Sequence, residues 1–141
     1  MPLIGGAGNP VGGSFTGPAE ALEIIGNHAY AYSGLQAVTT AEADQLSFTS
    51  GNFYLVGKVQ LNGPSREGTH TGGGTTCVVT LNGVGVIILR NRTADHESPS
   101  SVWSDIIIPP YTEVVCRVDS ASVEAADTSV SITGRIYRTR D

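Results

Sequence analysis

The chain has 141 residues, enough for one domain with a substantial core, and carries a net charge of −5 from 13 acidic and 8 basic residues. That balance argues against a nucleic-acid partner, because phosphate binding needs clustered Lys and Arg; Arg135, Arg138 and Arg140 near the C-terminus read as a solvated strand end. No run of about 18 apolar residues occurs, so no membrane-spanning helix is expected.

Residues 1–18 form a region of their own. Gly5, Gly6, Gly8, Gly12, Gly13 and Gly17, with Pro2, Pro10 and Pro18, forbid regular structure there. A plain linker would have few apolar residues, yet Leu3, Ile4, Val11 and Phe15 are scattered through this one. Two readings stand: an arm that docks through those four residues, or a leader without a partner. Met1-Pro2-Leu3-Ile4 has neither the basic nor the apolar region of a signal peptide, so folding in a reducing cytoplasm is expected. The domain proper is expected over residues 19–141.

Its first strand is expected over residues 21–25, with a helix over 18–25 as the alternative. Gly26-Asn27 then turns the chain into His28-Ala29-Tyr30-Ala31-Tyr32, where tyrosines line one face and alanines the other. Residues 39–44 read as a polar loop. Gln45-Leu46-Ser47-Phe48-Thr49 alternates, and residues 53–61 place Phe53, Leu55, Val59 and Leu61 inward. A glycine-rich surface loop is expected over 64–74. Thr75 to Leu81 and Val84 to Leu89 flank Asn82-Gly83, the strongest short-range hairpin signal, because both turn positions want positive φ.

A second polar loop is expected over residues 91–101. Ile106-Ile107-Ile108 then runs into Pro109-Pro110, which removes two backbone donors in succession and ends any ladder. Beyond it Val114, Cys116 and Val118 share a face, opposite Glu113 and Arg117, with Val115 an apolar exception. A strand, an abrupt corner and a second strand is how a chain passes between two sheets. The last strand is expected over residues 129–137, with Val130, Ile132 and Ile136 inward. The fold class is therefore all-β: a β-sandwich, a jelly roll of about eight strands, with an extended glycine-rich N-terminal arm. Leu46, Phe48, Phe53, Leu55, Val59, Cys77, Val79, Leu81, Val114, Cys116, Val118, Val130, Ile132 and Ile136 are the expected core.

No catalytic, metal-binding or cofactor signature is found, and an enzyme is not expected. Gly12-Gly13-Ser14-Phe15-Thr16 lacks the last glycine of a serine elbow. His28, His70 and His96 stand apart, and Asp95-His96-Glu97 reads as a solvated loop. Gly72-Gly73-Gly74 has neither the lysine nor the helix start of a phosphate loop. Cys77 and Cys116 are too few for a disulfide scaffold and read as reduced, buried small hydrophobes.

Four stretches together carry a resemblance. They are Ile24-Ile25-Gly26-Asn27-His28-Ala29-Tyr30-Ala31-Tyr32 behind the glycine-rich leader, Leu81-Asn82-Gly83, residues 106–114 with their Pro-Pro corner, and Ile132-Thr133-Gly134-Arg135-Ile136-Tyr137. The chain resembles the small virion proteins of tailed bacteriophages, and among them looks most like a capsid decoration, or cement, protein. The resemblance implies a homotrimer on the outside of the capsid that binds the major capsid protein and clamps neighbouring capsomers, with no nucleic-acid or membrane partner. Leu3, Ile4, Val11 and Phe15 would dock the arm. A trimeric tail or receptor-binding domain is the alternative, and its loops over 64–74 and 91–101 would hold the receptor. A secreted jelly-roll module of the tumour-necrosis-factor or complement type is a third reading.

Overall fold

The computed structural model describes residues 22–63, 74–92, 101–120 and 126–138. The four arm residues Leu3, Ile4, Val11 and Phe15, most of both expected polar loops, and His70 and His96 lie outside them. The strands run β1 (Glu23–Ile25), β2 (His28–Tyr32), β3 (Gln36–Val38), β4 (Ala43–Thr49), β5 (Phe53–Asn62), β6 (Gly74–Leu81), β7 (Val84–Arg92), β8 (Ser101–Ile108), β9 (Glu113–Ser120) and β10 (Ala126–Arg138). Every pairing among them is antiparallel. A six-stranded sheet has the order β1-β2-β10-β5-β8, with β3 on the first residues of β10, and a four-stranded sheet has the order β4-β9-β6-β7.

The fold is a β-sandwich, as the period-two pattern predicts, with ten strands among the described residues where the sequence suggests about eight. β1 is the strand expected over residues 21–25, shortened to three residues, and β3, also three residues, is the one the sequence did not suggest. Residues 39–44 are not all loop, since Ala43 and Asp44 already pair with β9. The second polar loop is shorter than expected: Asn91 and Arg92 close β7, and Ser101 opens β8.

The long pairings are nested. The hairpin β6/β7 is innermost, followed outward by β5/β8, β4/β9 and β2/β10, as if one antiparallel ribbon had been folded across itself. The innermost turn is the predicted one: Asn82 (φ 52°) and Gly83 (φ 83°) both take the left-handed conformation that fits the twist of a two-residue hairpin. Its Asn82 side chain accepts a hydrogen bond from the Glu113 N–H at 2.9 Å, tying the turn to β9.

The Pro-Pro corner carries the chain from β8 in one sheet to β9 in the other, as predicted. Ser50, in the connection that makes the reverse passage from β4 to β5, holds it in place. The Ser50 hydroxyl donates to the Pro109 carbonyl at 2.7 Å and accepts from the Thr112 N–H at 2.9 Å. The Tyr111 N–H donates to the Gly51 carbonyl at 3.0 Å, and Tyr111 itself is left-handed (φ 54°). The corner, whose two prolines cannot join a ladder, is thus fastened by donor and acceptor groups of the β4–β5 connection.

All the expected core residues are buried except Leu81, which is half-buried against the core edge. Ala29, Ala31, Val38, Leu61, Leu89, Ile106 and Ile108 complete the core. Cys77 and Cys116 are free thiols inside it. A hydrogen bond with Cys77, and then burial, push the Cys116 thiol well above its ordinary range.

The core closes on polar groups at the end away from the corner. Gln45 is buried there although alternation places it outward: a register shift between Asp44 and Leu46 turns two successive residues of β4 inward. Its amide donates to the Thr128 carbonyl at 2.6 Å and accepts from the Thr128 hydroxyl at 3.1 Å, joining the sheets. Ser120, Thr75 and Asn91 form a row across β9, β6 and β7, and all three are buried. Asn91 Nδ2 donates to the Gly63 carbonyl.

Candidate interaction surface

The alternation that sends Leu55, Val59, Ile132 and Ile136 inward sends an unusual set outward. On the six-stranded sheet, Tyr137 of β10 stands opposite Tyr54 of β5, and Arg135, Val56 and Ile107 form the next row across β10, β5 and β8. Thr133, Lys58 and Asp105 follow, then Ser131, Gln60 and Trp103. Tyr54, Val56, Trp103, Ile107 and Tyr137 are all exposed. Outward positions of a sheet that faces only water are mostly polar. Here apolar and aromatic groups continue across three adjacent strands.

Several of the rings have partners on this face. The Lys58 ammonium sits 4.1 Å from the centre of the Trp103 ring, and the Arg135 guanidinium 5.7 Å from that of Tyr137. Tyr30 and Tyr32 of β2 lie tilted against each other at 5.3 Å. Beside Trp103, Gln60 donates to Asn62 Oδ1 at 2.6 Å and Asn62 donates to the Ser129 hydroxyl at 3.2 Å. The face therefore offers aromatic area with polar groups between, the character of a protein contact surface.

Sequence reasoning placed the contact on the arm and the loops, and so missed this face. The signal was present in Phe53-Tyr54-Leu55-Val56, where apolar residues occupy both parities, and in Ile106-Ile107-Ile108. Such runs read equally well as strands buried on both sides. Among the described residues no group of three His, Cys, Asp or Glu is placed to hold a metal ion.

No protein-family model matches the chain, and no curated protein matches it. A structure of infectious bursal disease virus, Gx strain, overlaps it with a TM-score of 0.34 at 16% sequence identity. That overlap covers 77% of this chain and 29% of the other, so the chain spans less than a third of that protein's length.

Proposed function

We propose that this chain is a virion structural protein that decorates the outside of a tailed-phage capsid and stabilises it by clamping neighbouring subunits of the major capsid protein. The observation that carries this reading is the exposed apolar and aromatic face of the six-stranded sheet, a surface suited to covering by another protein. The nested strand pairing supports it as well. That nesting, with β2-β10-β5-β8 in one sheet and β4-β9-β6-β7 in the other, supports the expected jelly roll, an architecture that viral coats use. No enzymatic role and no cofactor belong to the proposal.

The unit is a homotrimer, and residues 1–18 fasten it to the shell through Leu3, Ile4, Val11 and Phe15. Burying those four side chains contributes roughly 6–12 kcal/mol. Ordering these eighteen residues costs about 1–2 kcal/mol each, so the arm needs a partner that also pairs its backbone, as strand addition does. Three arms on one trimer bind together and reinforce one another.

The test is binding to heads that lack the protein. The double change Val56→Ser and Ile107→Ser on the open face should weaken binding at least tenfold, and a chain starting at Ala19 should keep its oligomeric state and lose affinity. Full decoration by both would refute the reading. A second reading, a tail or receptor-binding domain, is favoured by Trp103 standing among Gln60 and Asp105, a ring with hydrogen-bonding neighbours suited to a glycan. It would show itself as binding to host cells that Trp103→Ala abolishes.

A further inference from the structure

Among the described residues five strands have an open side, and four of them are protected against pairing with another chain. β1 and β3 are three residues long. β8 has exposed Asp105 at its middle and ends at Pro109-Pro110. β4 is bulged after Asp44, whose carboxylate is held at 2.9 Å by Arg117. Shortness, charge, proline and bulges are the usual means of blunting a sheet edge.

β7 is different. It is nine residues long, and Val84-Gly85-Val86-Ile87-Ile88-Leu89 contains neither charge nor proline. Val84, Val86 and Ile88 are 64%, 48% and 70% exposed. Its one irregularity lies near its start, at the step between Val79 and Thr80 of β6; from Ile87 to Arg92 the ladder to β6 is regular. No other described strand pairs with its outer side.

We propose that β7 pairs with β7 of a second copy of this chain, antiparallel about a two-fold axis at Ile88. The strand is self-complementary in that register. Ile88 stands against its own counterpart, Ile87 against Leu89, and Val86 against Arg90. Arg90 is the one charged residue from Val84 to Asn91, and it falls opposite a valine rather than opposite itself, so no like charges meet. The Ile88 rung gains Val78 of β6 on either side, since Val78 is the partner of Ile88 within each copy. Two four-stranded sheets become one of eight, and the contact is isologous, which closes the assembly.

This contact is independent of the proposed trimer: it makes a dimer of a monomer, and it makes a closed hexamer of a trimer when its two-fold axis crosses the three-fold axis at a right angle. The experiment is light scattering of the full chain at low micromolar concentration. Ile88→Lys sets two ammonium groups face to face and should halve the mass; Ile88→Glu should do the same with two carboxylates. Ile88 is exposed, so an unchanged far-ultraviolet circular dichroism spectrum and a cooperative melt check that each variant is folded. Mixing the two variants one to one should restore the full mass, because Lys then meets Glu. A variant that keeps the parent mass, or a mixture that stays at half, overturns the pairing. The trimer reading fails separately, if the halved particle does not contain three chains.

Discussion

Gly57 of β5 and Gly134 of β10 face each other as direct partners in the middle of the six-stranded sheet. Both occupy inward positions, between Leu55 and Val59 and between Ile132 and Ile136. A Cβ on Gly134 would lie 2.6 Å from the Val56 carbonyl oxygen and 2.8 Å from the Gly57 Cα, and one on Gly57 would overlap the Thr133 carbonyl. Neither glycine has positive φ, so what they supply is the absence of a side chain, which lets two strands approach.

Gly57→Ala is therefore expected to destabilise the domain by about 3 kcal/mol, the upper part of the range for overpacking, because the clash is with backbone that cannot rotate away. Gly134→Ala should behave similarly. Gly85→Ala, whose Cβ would meet only Val78 at 3.6 Å, should cost less than about 1 kcal/mol. Urea midpoints at unchanged slope measure all three. Equal midpoints for Gly57→Ala and Gly85→Ala would contradict the close approach.

The elements legible in the sequence were those whose cause is local. The Asn82-Gly83 hairpin follows from two residues that tolerate positive φ, and the change of sheet at Pro109-Pro110 follows from two missing donors. Period-two alternation located the inward residues of β5, β9 and β10. What was not legible depends on distant partners. Gln45 turns inward because Thr128, 83 residues away, satisfies its amide. β3 exists because the first residues of β10 offer it an edge. Tyr54, Val56 and Ile107 are apolar in both the buried and the exposed setting, so only the tertiary fold separates a second core face from an open one.

The polar end of the core yields two opposite expectations. Thr128→Val removes the hydroxyl that donates to buried Gln45 Oε1, and should cost about 1–3 kcal/mol by leaving that oxygen without its donor. Thr75 is equally buried, but its hydroxyl has no hydrogen-bond partner among the described residues. Thr75→Val replaces a desolvated hydroxyl with a methyl of the same shape. It should leave stability unchanged or raise it by about 1 kcal/mol. Thermal melts of the two variants side by side test the pair, and a loss on Thr75→Val as large as that on Thr128→Val would refute the distinction.

The Cys77–Cys116 contact implies a pH dependence. The Cys116 thiol is raised above the ordinary value of 9.0 by its bond to Cys77 and by burial. Above about pH 9 the unfolded chain releases this proton while the folded chain retains it, so the unfolded state holds fewer protons. Stability is unaffected below that pH and declines above it, by up to about 1.4 kcal/mol per pH unit. Measured as a difference from Cys116→Ala, the decline should vanish in the variant. Both thiols should resist alkylation in the native protein and react together on unfolding. A parallel pair of stability curves from pH 7 to 10 would rule this out.

Trp103 is the only tryptophan in the chain, stands 53% exposed on the open face, and so reports directly on whether that face is covered. The Lys58 ammonium 4.1 Å from its ring places a positive charge where a quencher must approach. Iodide should therefore quench its fluorescence more strongly than caesium at low ionic strength, although the chain as a whole is negative. The bias should shrink as salt shortens the screening length to about 10 Å or less, and Lys58→Met should remove it, leaving neutral acrylamide quenching intact. Binding to capsid heads through this face would shield the indole from all three quenchers and shift its emission to shorter wavelength. An indole that stays as accessible on decorated heads as in free protein would move the contact elsewhere on the molecule.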